Sequence, residues 1–424
     1  MSNLLNEAPL QEPRIAQRKV LVMSGGSFPS RTQPVHGVFV KERVRFVAQA
    51  GVDIRVVAPT PYFPPIKWFK RWYPWSQIPK HEVIDGLDVT RPRYLLIPKI
   101  SGFWHPSLMY PAALQAIRKL QPDFDFDLID SHFAYPNGVA AVRLAERLGK
   151  PVVITARGHD IAKCPDMPIV GPQVRQAICR ATRLIAVSQE IADRMESFGA
   201  DPARITVIPN GVDTDKFCPV SMDSAREKLG LPKERKLILA VGYRLELKGF
   251  HLLIDALPKI RERFPEAMVA IVGGQARWAA DFLPTIKERI REHQLEDHVV
   301  IAGTRPQEEL RYWYSAADVL SILSSREGSP NVLMEALACG LPAVATAVGG
   351  IGPLLSENPI FGCLLPERSA GASTDGLIRM LACSPNRAEI RLLMLERSWH
   401  KTAESCKHVF EQAIDEYRQV KTAH

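Results

Sequence analysis

The sequence lacks the marks of a secreted, disulfide-bonded or metal-binding protein. Its seven cysteines are scattered, with no CxxC pair and no histidine spacing typical of a metal site. The first residues have no continuous apolar core of the kind found in a signal peptide, and we expect 1–17 to be a flexible leader. These absences favour a reduced, cytoplasmic compartment.

Long apolar runs are also missing. No segment approaches the roughly 20 apolar residues that a membrane-spanning helix needs, so we expect any membrane contact to be peripheral, on the cytoplasmic face of the inner membrane. The net charge of +8 suits nucleic acid, an anionic membrane surface or a polyanionic substrate. Nucleic acid is disfavoured, because no basic run with interleaved aromatics belongs to a recognisable nucleic-acid module.

The length and the alternation of patterns predict two domains. A chain of 424 residues that is 46% hydrophobic exceeds what one core usually organises. Strand and helix patterns alternate from Lys19–Ser24 and restart at Lys236–Gly242, which predicts two parallel, doubly wound α/β sheets in separate Rossmann-like domains. Turn formers around Asn210 indicate a hinge between them. The expected N-terminal domain, C-terminal domain and last helix span 18–215, 216–389 and 390–424.

The most informative stretch is Ser324–Gly350, SSREGSPNVLMEALACGLPAVATAVGG. It follows a buried-strand pattern, and it predicts a helix with Ser329 as N-cap, Pro330 at the first helical position and a body over Asn331–Cys339. The strand, loop and helix place the start of this helix at the carboxyl end of a sheet, where ligands of α/β folds bind.

The start of this helix predicts an anion site. The backbone N–H groups of Asn331, Val332 and Leu333 would be unpaired at the positive end of the helix dipole, which suits a diphosphate. Glu327 precedes the helix and Glu335 lies on its second turn, so both carboxylates can flank such a ligand and accept bonds from hydroxyl groups. The alternative is that both are ordinary solvated charges.

The nine residues EGSPNVLME, followed by ALACGLPAVAT and a glycine pair, closely resemble the donor-site signature of the retaining glycosyltransferases of family 4. The resemblance implies a GT-B fold: two Rossmann-like domains face each other across a cleft, and a C-terminal helix crosses back to the N-terminal domain. It also implies that Glu327 holds the hydroxyls of the transferred sugar and Glu335 the nucleoside ribose. The segment RPRYLLIP (91–98) resembles sequences of a subgroup of this family that builds teichuronic acid or exopolysaccharide.

The loop GYRLELKG, after the first strand of the second domain, carries two cations. Lys248 and Arg244 can neutralise the charge that builds on a departing nucleoside diphosphate, which is the task of a metal in other transferases. The family usually has an arginine directly after the glycine, where this chain has Tyr243. Across the cleft, Gly37 precedes the first helix, and in resembling enzymes such a glycine approaches the donor phosphates; the alternative is a plain turn glycine.

Three further candidates for catalytic residues lie at the ends of strands in the first domain, and for the two histidines among them the alternative is a structural role. DSHFAYPNG and ITARGHDI predict that His132, Arg157 and His159 lie at neighbouring strand ends. The family usually has a histidine at the position of Arg157, where it touches the transferred sugar. Either Arg157 or His159 is therefore expected to make that contact.

No metal or other cofactor is expected. The acidic run DFDFD (123–127) alternates with Phe as an exposed strand face would, which argues against a metal-binding DxD motif. The predicted partners are a UDP- or GDP-sugar donor and a glycan or polyprenyl-linked acceptor. The segment 60–80 mixes aromatic and basic residues and is expected either to dock on the inner-membrane surface or to form a lid over the cleft.

Three other functions remain open. A phosphorylase or sugar-nucleotide epimerase shares the GT-B fold, and a non-catalytic, membrane-associated protein could keep it. A dinucleotide oxidoreductase is disfavoured because neither first strand is followed by G-x-G-x-x-G. The favoured function is metal-independent transfer of a sugar in bacterial cell-surface polysaccharide synthesis.

Overall fold

The computed structural model describes residues 17–34, 37–68, 73–96, 102–276, 279–327 and 330–422, and only the backbone of His159. Almost all of the predicted leader lies outside these residues. The described chain forms two α/β units, each on its own sheet.

The strands of the first unit are short and mostly buried. They are β1 (Lys19–Met23), β2 (Asp53–Val57), β3 (Thr60–Tyr62), β4 (His81–Ile84), β5 (Leu87–Thr90), β6 (Arg93–Leu95), β7 (Leu128–His132), β8 (Val152–Ala156), β9 (Arg183–Ala186) and β10 (Ile205–Val207). Eight of them form one sheet in the order β10-β9-β8-β7-β1-β2-β5-β4, while β3 and β6 pair separately.

The strands of the second unit form a six-stranded, wholly parallel sheet in the order β13-β12-β11-β14-β15-β16. They are β11 (Leu237–Val241), β12 (Met268–Val272), β13 (Val299–Gly303), β14 (Val319–Ile322), β15 (Ala343–Thr346) and β16 (Gly362–Leu365). Because β11 and β14 are neighbours, the loops that follow them meet at one edge of the sheet.

Helices cover both faces of the two sheets. In the first unit they are α1 (Val38–Gln49), α2 (Tyr73–Ser76), α3 (His105–Leu120), α4 (Val139–Leu148), α5 (His159–Ala162), α6 (Val170–Arg180) and α7 (Gln189–Ser197). In the second they are α8 (Met222–Leu229), α9 (Phe250–Arg263), α10 (Leu283–Glu292), α11 (Gln307–Ala316), α12 (Asn331–Ala338), α13 (Ile351–Glu357), α14 (Ala370–Cys383) and α15 (Arg387–Leu395), followed by α16 (Trp399–Thr422). The doubly wound prediction is confirmed for both sheets.

One edge of the first sheet differs from the prediction of a parallel sheet. Strands β4 and β5 are antiparallel and are joined by Asp85 and Gly86, whose φ angles are 48° and 81°. A two-residue turn with positive φ at both positions matches the right-handed twist of a hairpin, so the chain reverses without a crossover helix.

The end of the chain contains two helices where one long helix was predicted. Ile390 and Met394 of α15 are fully buried in the core of the second unit, so α15 belongs to that unit. The crossing back occurs afterwards, and α16 packs on α1, where the rings of Phe46 and Trp399 stack with centroids 6.3 Å apart. The last helix therefore returns to the first domain, as predicted.

The two chain crossings between the domains run side by side. The N–H of Val212 donates to the carbonyl of Arg397 at 3.1 Å, and the N–H of Trp399 donates back to Val212 at 3.2 Å. At Gly211 a Cβ atom would lie 2.5 Å from backbone atoms of Trp399, so only glycine fits this close approach.

Candidate active site in the interdomain cleft

A cavity of about 520 Å³ lies between the two domains and takes its walls from both. This volume is typical of a small-molecule site. The first domain contributes Phe39, Glu42 and Arg157, and the hinge contributes Asn210 and Asp213. The second domain supplies the opposite wall, with Tyr243, Lys248, Thr304, Arg305, Ser324, Glu327, Asn331, Val332 and Glu335.

Helix α12 begins one residue later than predicted. Pro330 precedes the helix instead of occupying its first position, and Ser329 lies outside the described residues. The N–H of Leu333 donates to the carbonyl of Pro330 at 3.0 Å, so the prediction that it is free for a ligand is wrong. Among the described residues the backbone N–H groups of Asn331 and Val332 have no partner, and both residues line the cavity. These two N–H groups remain as the predicted anion site.

Lys248 and Glu327 form an ion pair at the mouth of this anion site. Lys248 Nζ lies 2.5 Å from Glu327 Oε1, which also accepts the hydroxyl of Ser324 at 2.6 Å. A backbone bond of 2.8 Å from Ser325 to Leu247 ties the two loops together. The neighbouring strands β11 and β14 thus bring together two charges 79 positions apart in sequence.

Arg244 does not line the cavity, contrary to the prediction that it neutralises the diphosphate. Its Nε and Nη2 donate to the two carboxylate oxygens of Asp281 at 2.9 and 2.7 Å, and its Nη1 donates to the carbonyl of Gly273. The hydrogen bond to Asp281 raises the pKa of Arg244 and lowers that of Asp281. The guanidinium is used to hold the loop before α10, and Tyr243 faces the cavity in its place.

Glu335 lies on the second turn of α12 and faces the cavity. The hydroxyl of Tyr314, a fully buried side chain, donates to Glu335 Oε2 at 2.7 Å. Burial raises the pKa of Glu335 from 4.5 to about 7 in spite of this bond. The carboxyl group is therefore held by Tyr314 at the wall of the cavity.

Replacing Glu335 with glutamine is expected to raise the melting temperature of the ligand-free protein at pH 8 and to change it little at pH 5. Because the pKa of Glu335 is about 7 in the folded chain and near 4.5 when unfolded, ionisation destabilises the fold increasingly as pH rises between these values. Glutamine removes that cost. Thermal unfolding of both proteins at pH 5 and pH 8 measures the difference in melting temperature, with Glu288→Gln at an exposed position as control. An equal shift at both pH values would contradict the assignment.

On the wall formed by the first domain, Arg157 reaches the cavity and His132 does not. His132 is fully buried behind Arg157, and its Nδ1 lies 3.0 Å from Arg157 Nη2. Burial lowers the pKa of His132, so the ring is neutral and Nδ1 accepts the bond. Nε2 then carries the proton and lies 3.2 Å from Asp130. The prediction that His132 is a catalytic residue is wrong and the structural alternative holds, because its side chain at the end of β7 is fully buried and does not line the cavity.

His159 begins α5, but its side chain lies outside the described residues, so its predicted contact with the sugar stays a prediction. Asp160 next to it accepts the backbone N–H groups of Arg157, Gly158 and Ala134 at 2.7 to 3.1 Å. Asp160 thus shapes the turn that carries Arg157 to the cavity.

Gly37 has a structural explanation that needs no ligand. It precedes α1 with a left-handed φ of 70°, and a Cβ there would lie 1.7 Å from the carbonyl oxygen of Ser27. Glycine is therefore required by the loop itself. Gly37 does not line the cavity, although Val38 and Phe39 directly after it do.

Asn210 is a site residue that the sequence indicated only as a turn former. It is buried, and its Oδ1 accepts Arg43 Nη2 and Arg157 Nη1, both at 3.2 Å. Its Nδ2 donates to Oδ1 of Asn331, the first residue of α12, at 2.9 Å. One hinge side chain therefore connects the wall of the first domain to the anion site of the second.

Comparison with known proteins assigns the family. The profile described as Glycosyl transferases group 1 matches residues 221–391, and the profile described as Glycosyltransferase Family 4 matches residues 36–216. A D-inositol 3-phosphate glycosyltransferase of Frankia alni is 31% identical over 310 residues, which cover 68% of this chain and 75% of that protein. The chain belongs to the group 1 glycosyltransferases. It is an enzyme of that class, as the resemblance predicted.

Further relatives agree with this assignment. A teichuronic acid biosynthesis glycosyltransferase of Bacillus subtilis is 29% identical to this group 1 glycosyltransferase over 83% of this chain and 86% of its own. Among solved structures, the Anabaena protein Alr3699/HepE in complex with UDP and glucose superposes with a TM-score of 0.71 at 18% identity, covering 93% of this chain and 100% of that one. The predicted GT-B fold is confirmed.

Proposed function

We propose that this group 1 glycosyltransferase is a retaining, metal-independent enzyme that moves a sugar from a nucleoside diphosphate onto a glycan or polyprenyl-linked acceptor. The reaction would serve bacterial cell-surface polysaccharide synthesis. The observation that carries the proposal is that the Lys248–Glu327 pair lines the same cavity as the N–H groups of Asn331 and Val332, which have no partner among the described residues. The names of two similar proteins, one for teichuronic acid synthesis and one bound to UDP and glucose, support it.

In the donor half of the site, Lys248 can exchange the carboxylate of Glu327 for a diphosphate. In the structure Glu327 pairs with Lys248 and neutralises it. A diphosphate bound to the N–H groups of Asn331 and Val332 would take over Lys248, whose charge then stabilises the leaving group as a metal does elsewhere. Glu327, released from the lysine, is free to accept hydroxyl groups of the sugar.

The transfer reaction needs no nucleophilic side chain of the protein. The bond between the anomeric carbon and the diphosphate oxygen breaks, and its electron pair leaves with the diphosphate. The acceptor hydroxyl forms the new bond from the same face, and its proton passes to the leaving phosphate. Glu42, the carboxylate from the first domain at the cavity, is held by Arg45 at 2.6 Å and by Lys41 at 3.1 Å, which argues against its acting as a nucleophile.

A lipid-linked acceptor is supported by aromatic side chains on the outside of the first domain. Trp68 is 89% exposed and Trp104 62% exposed, and exposed Trp residues are enriched at membrane interfaces. The alternative of a lid finds no support, since no described residue of 60–80 lines the cavity. No helix among the described residues is both long and apolar enough to cross a bilayer.

Donor binding and transfer test the proposal in two arms. A nucleotide sugar at about 100 times its Kd should stabilise the folded protein by about 2.7 kcal/mol, so a thermal-shift screen of UDP-, GDP- and ADP-sugars should single out one base. The second arm offers that donor with a polyprenyl-linked sugar in anionic vesicles and reads the anomeric configuration of the product by NMR.

The expected result is one stabilising nucleotide and a product that keeps the donor's anomeric configuration. Inversion would overturn the retaining mechanism. Release of nucleotide that requires inorganic phosphate instead of a sugar acceptor would indicate a phosphorylase, and conversion of the donor without acceptor would indicate an epimerase. No stabilisation by any nucleotide sugar at millimolar concentration would contradict the function.

A further inference from the structure

Two guanidinium groups are buried in the wall that the first domain contributes to the cleft. Arg157 is 8% exposed and lines the cavity, while Arg43 is 2% exposed and lies behind it. Arg157 donates to the neutral acceptors Asn210 Oδ1 and His132 Nδ1, and its Nε has no partner among the described residues. Arg43 donates to two hinge carbonyls and to the same Asn210 oxygen.

The nearby carboxylates Asp130 and Asp160 attract Arg157 only from a distance and make no direct ion pair with it among the described residues. Among the described residues no carboxylate oxygen lies within 4 Å of either guanidinium. Asp160 is occupied by three backbone N–H groups, and Asp130 faces His132 at 3.2 Å. Glu42, which also lines the cavity, is bound by Arg45 and Lys41.

Among the described residues the charge of Arg157 has no ion-pair partner, and its burial is costly. Burial and the like charge of Arg43 lower the pKa of Arg157, which means that the charged form is destabilised there. The guanidinium of Arg157 lies over the ring of Phe39, with its central carbon 5.1 Å from the ring centroid. Nε of Arg157 is buried and has no hydrogen-bond partner among the described residues. A planar guanidinium with free donors is suited to a carboxylate or a phosphate.

Resting on the proposed transfer reaction, we infer that Arg157 recognises an anionic group, a carboxylate or a phosphate, on the transferred sugar or on the acceptor. Its position fits this role. Arg157 is joined through Asn210 to Asn331, the first residue of the anion site on α12, so it is two hydrogen bonds from the donor phosphates. An anionic substituent on a sugar that lies between the two domains would contact the guanidinium of Arg157.

Matched pairs of ligands test the inference and separate the two sources of the anion. The donor arm compares the Kd of UDP-glucuronate with that of UDP-glucose by calorimetry, and the corresponding pair is used if another base binds best. The acceptor arm saturates the enzyme with UDP and compares glucose 6-phosphate with glucose. Each measurement is repeated with Arg157→Gln, Arg157→Lys and, as a control for net charge, Arg143→Gln on α4.

We expect the wild type to prefer the anionic member of one pair by about tenfold or more, which is typical of a charge-assisted hydrogen bond. Arg157→Gln should remove this preference, Arg157→Lys should keep part of it, and Arg143→Gln should keep all of it. Preference in the first arm assigns the anion to the donor sugar, and preference in the second assigns it to the acceptor. Equal affinities within both pairs, with the preferred nucleoside diphosphate still bound, would overturn the inference, whereas failure to bind any nucleoside diphosphate would count against the proposed function. The UDP affinity of each variant also reports whether it is folded.

Discussion

Replacing Lys248 with alanine is expected to lower kcat/KM for sugar transfer by about 10²- to 10³-fold without unfolding the protein, the size of loss seen when one stabilising group is removed from a developing anion. The substitution removes the cation beside the diphosphate. It also leaves Glu327, its partner at 2.5 Å, as an unpaired negative charge at the leaving group. Both effects oppose departure of the diphosphate.

The double variant Lys248→Ala, Glu327→Gln separates the two effects. If Glu327 repels the diphosphate once the lysine is gone, the double variant should bind UDP more tightly than Lys248→Ala, although transfer stays slow because the sugar loses its hydroxyl acceptor. Steady-state kinetics measure the rate of transfer, and UDP titration measures the affinity for UDP. Lys248→Arg should retain much of the UDP affinity, and the exposed Lys287→Ala on α10 serves as control. A wild-type rate for Lys248→Ala would refute the donor site described here.

Replacing Asn210 with leucine is expected to destabilise the protein by about 3 kcal/mol or more and to lower transfer as well. Leucine leaves the buried guanidiniums of Arg43 and Arg157 without their shared acceptor, and each unsatisfied buried polar group costs about 1–3 kcal/mol. It also removes the bond to Asn331, which ties the hinge to the anion site. Differential scanning calorimetry and the Kd for UDP measure the two consequences.

The conservative variant Asn210→Asp makes this prediction specific. Aspartate keeps an acceptor for both arginines, and the amide of Asn331 can rotate to donate to it, so stability should return close to that of the wild type. If Asn210→Leu and Asn210→Asp lose equal stability, the hinge side chain matters for its shape and not for its hydrogen bonds. If neither changes UDP binding, Asn210 does not support the anion site.

Several errors of the sequence interpretation have a common physical cause. Arg244 was predicted at the cleft from its charge and His132 from its position at a strand end, but Asp281 binds the first and the core encloses the second. A side chain's direction depends on partners far away in sequence, which spacing does not reveal. The hairpin at Asp85–Gly86 is different, because the Asp-Gly pair is a strong local turn signal from which the hairpin can be predicted.

The helix that follows the proposed donor loop could be predicted from the sequence alone. The strand, turn and helix within Val319–Ala338 depend on neighbouring residues and on the spacing of apolar residues. The same local pattern carried the family resemblance and, with it, the fold. The pairing of Lys248 with Glu327, the loss of Arg244 from the cleft and the bridging position of Asn210 came only with the folded chain. These features arise where separate strands, loops and the two domains meet, because the energy of a buried charge or amide is set by atoms that the chain brings together from distant positions.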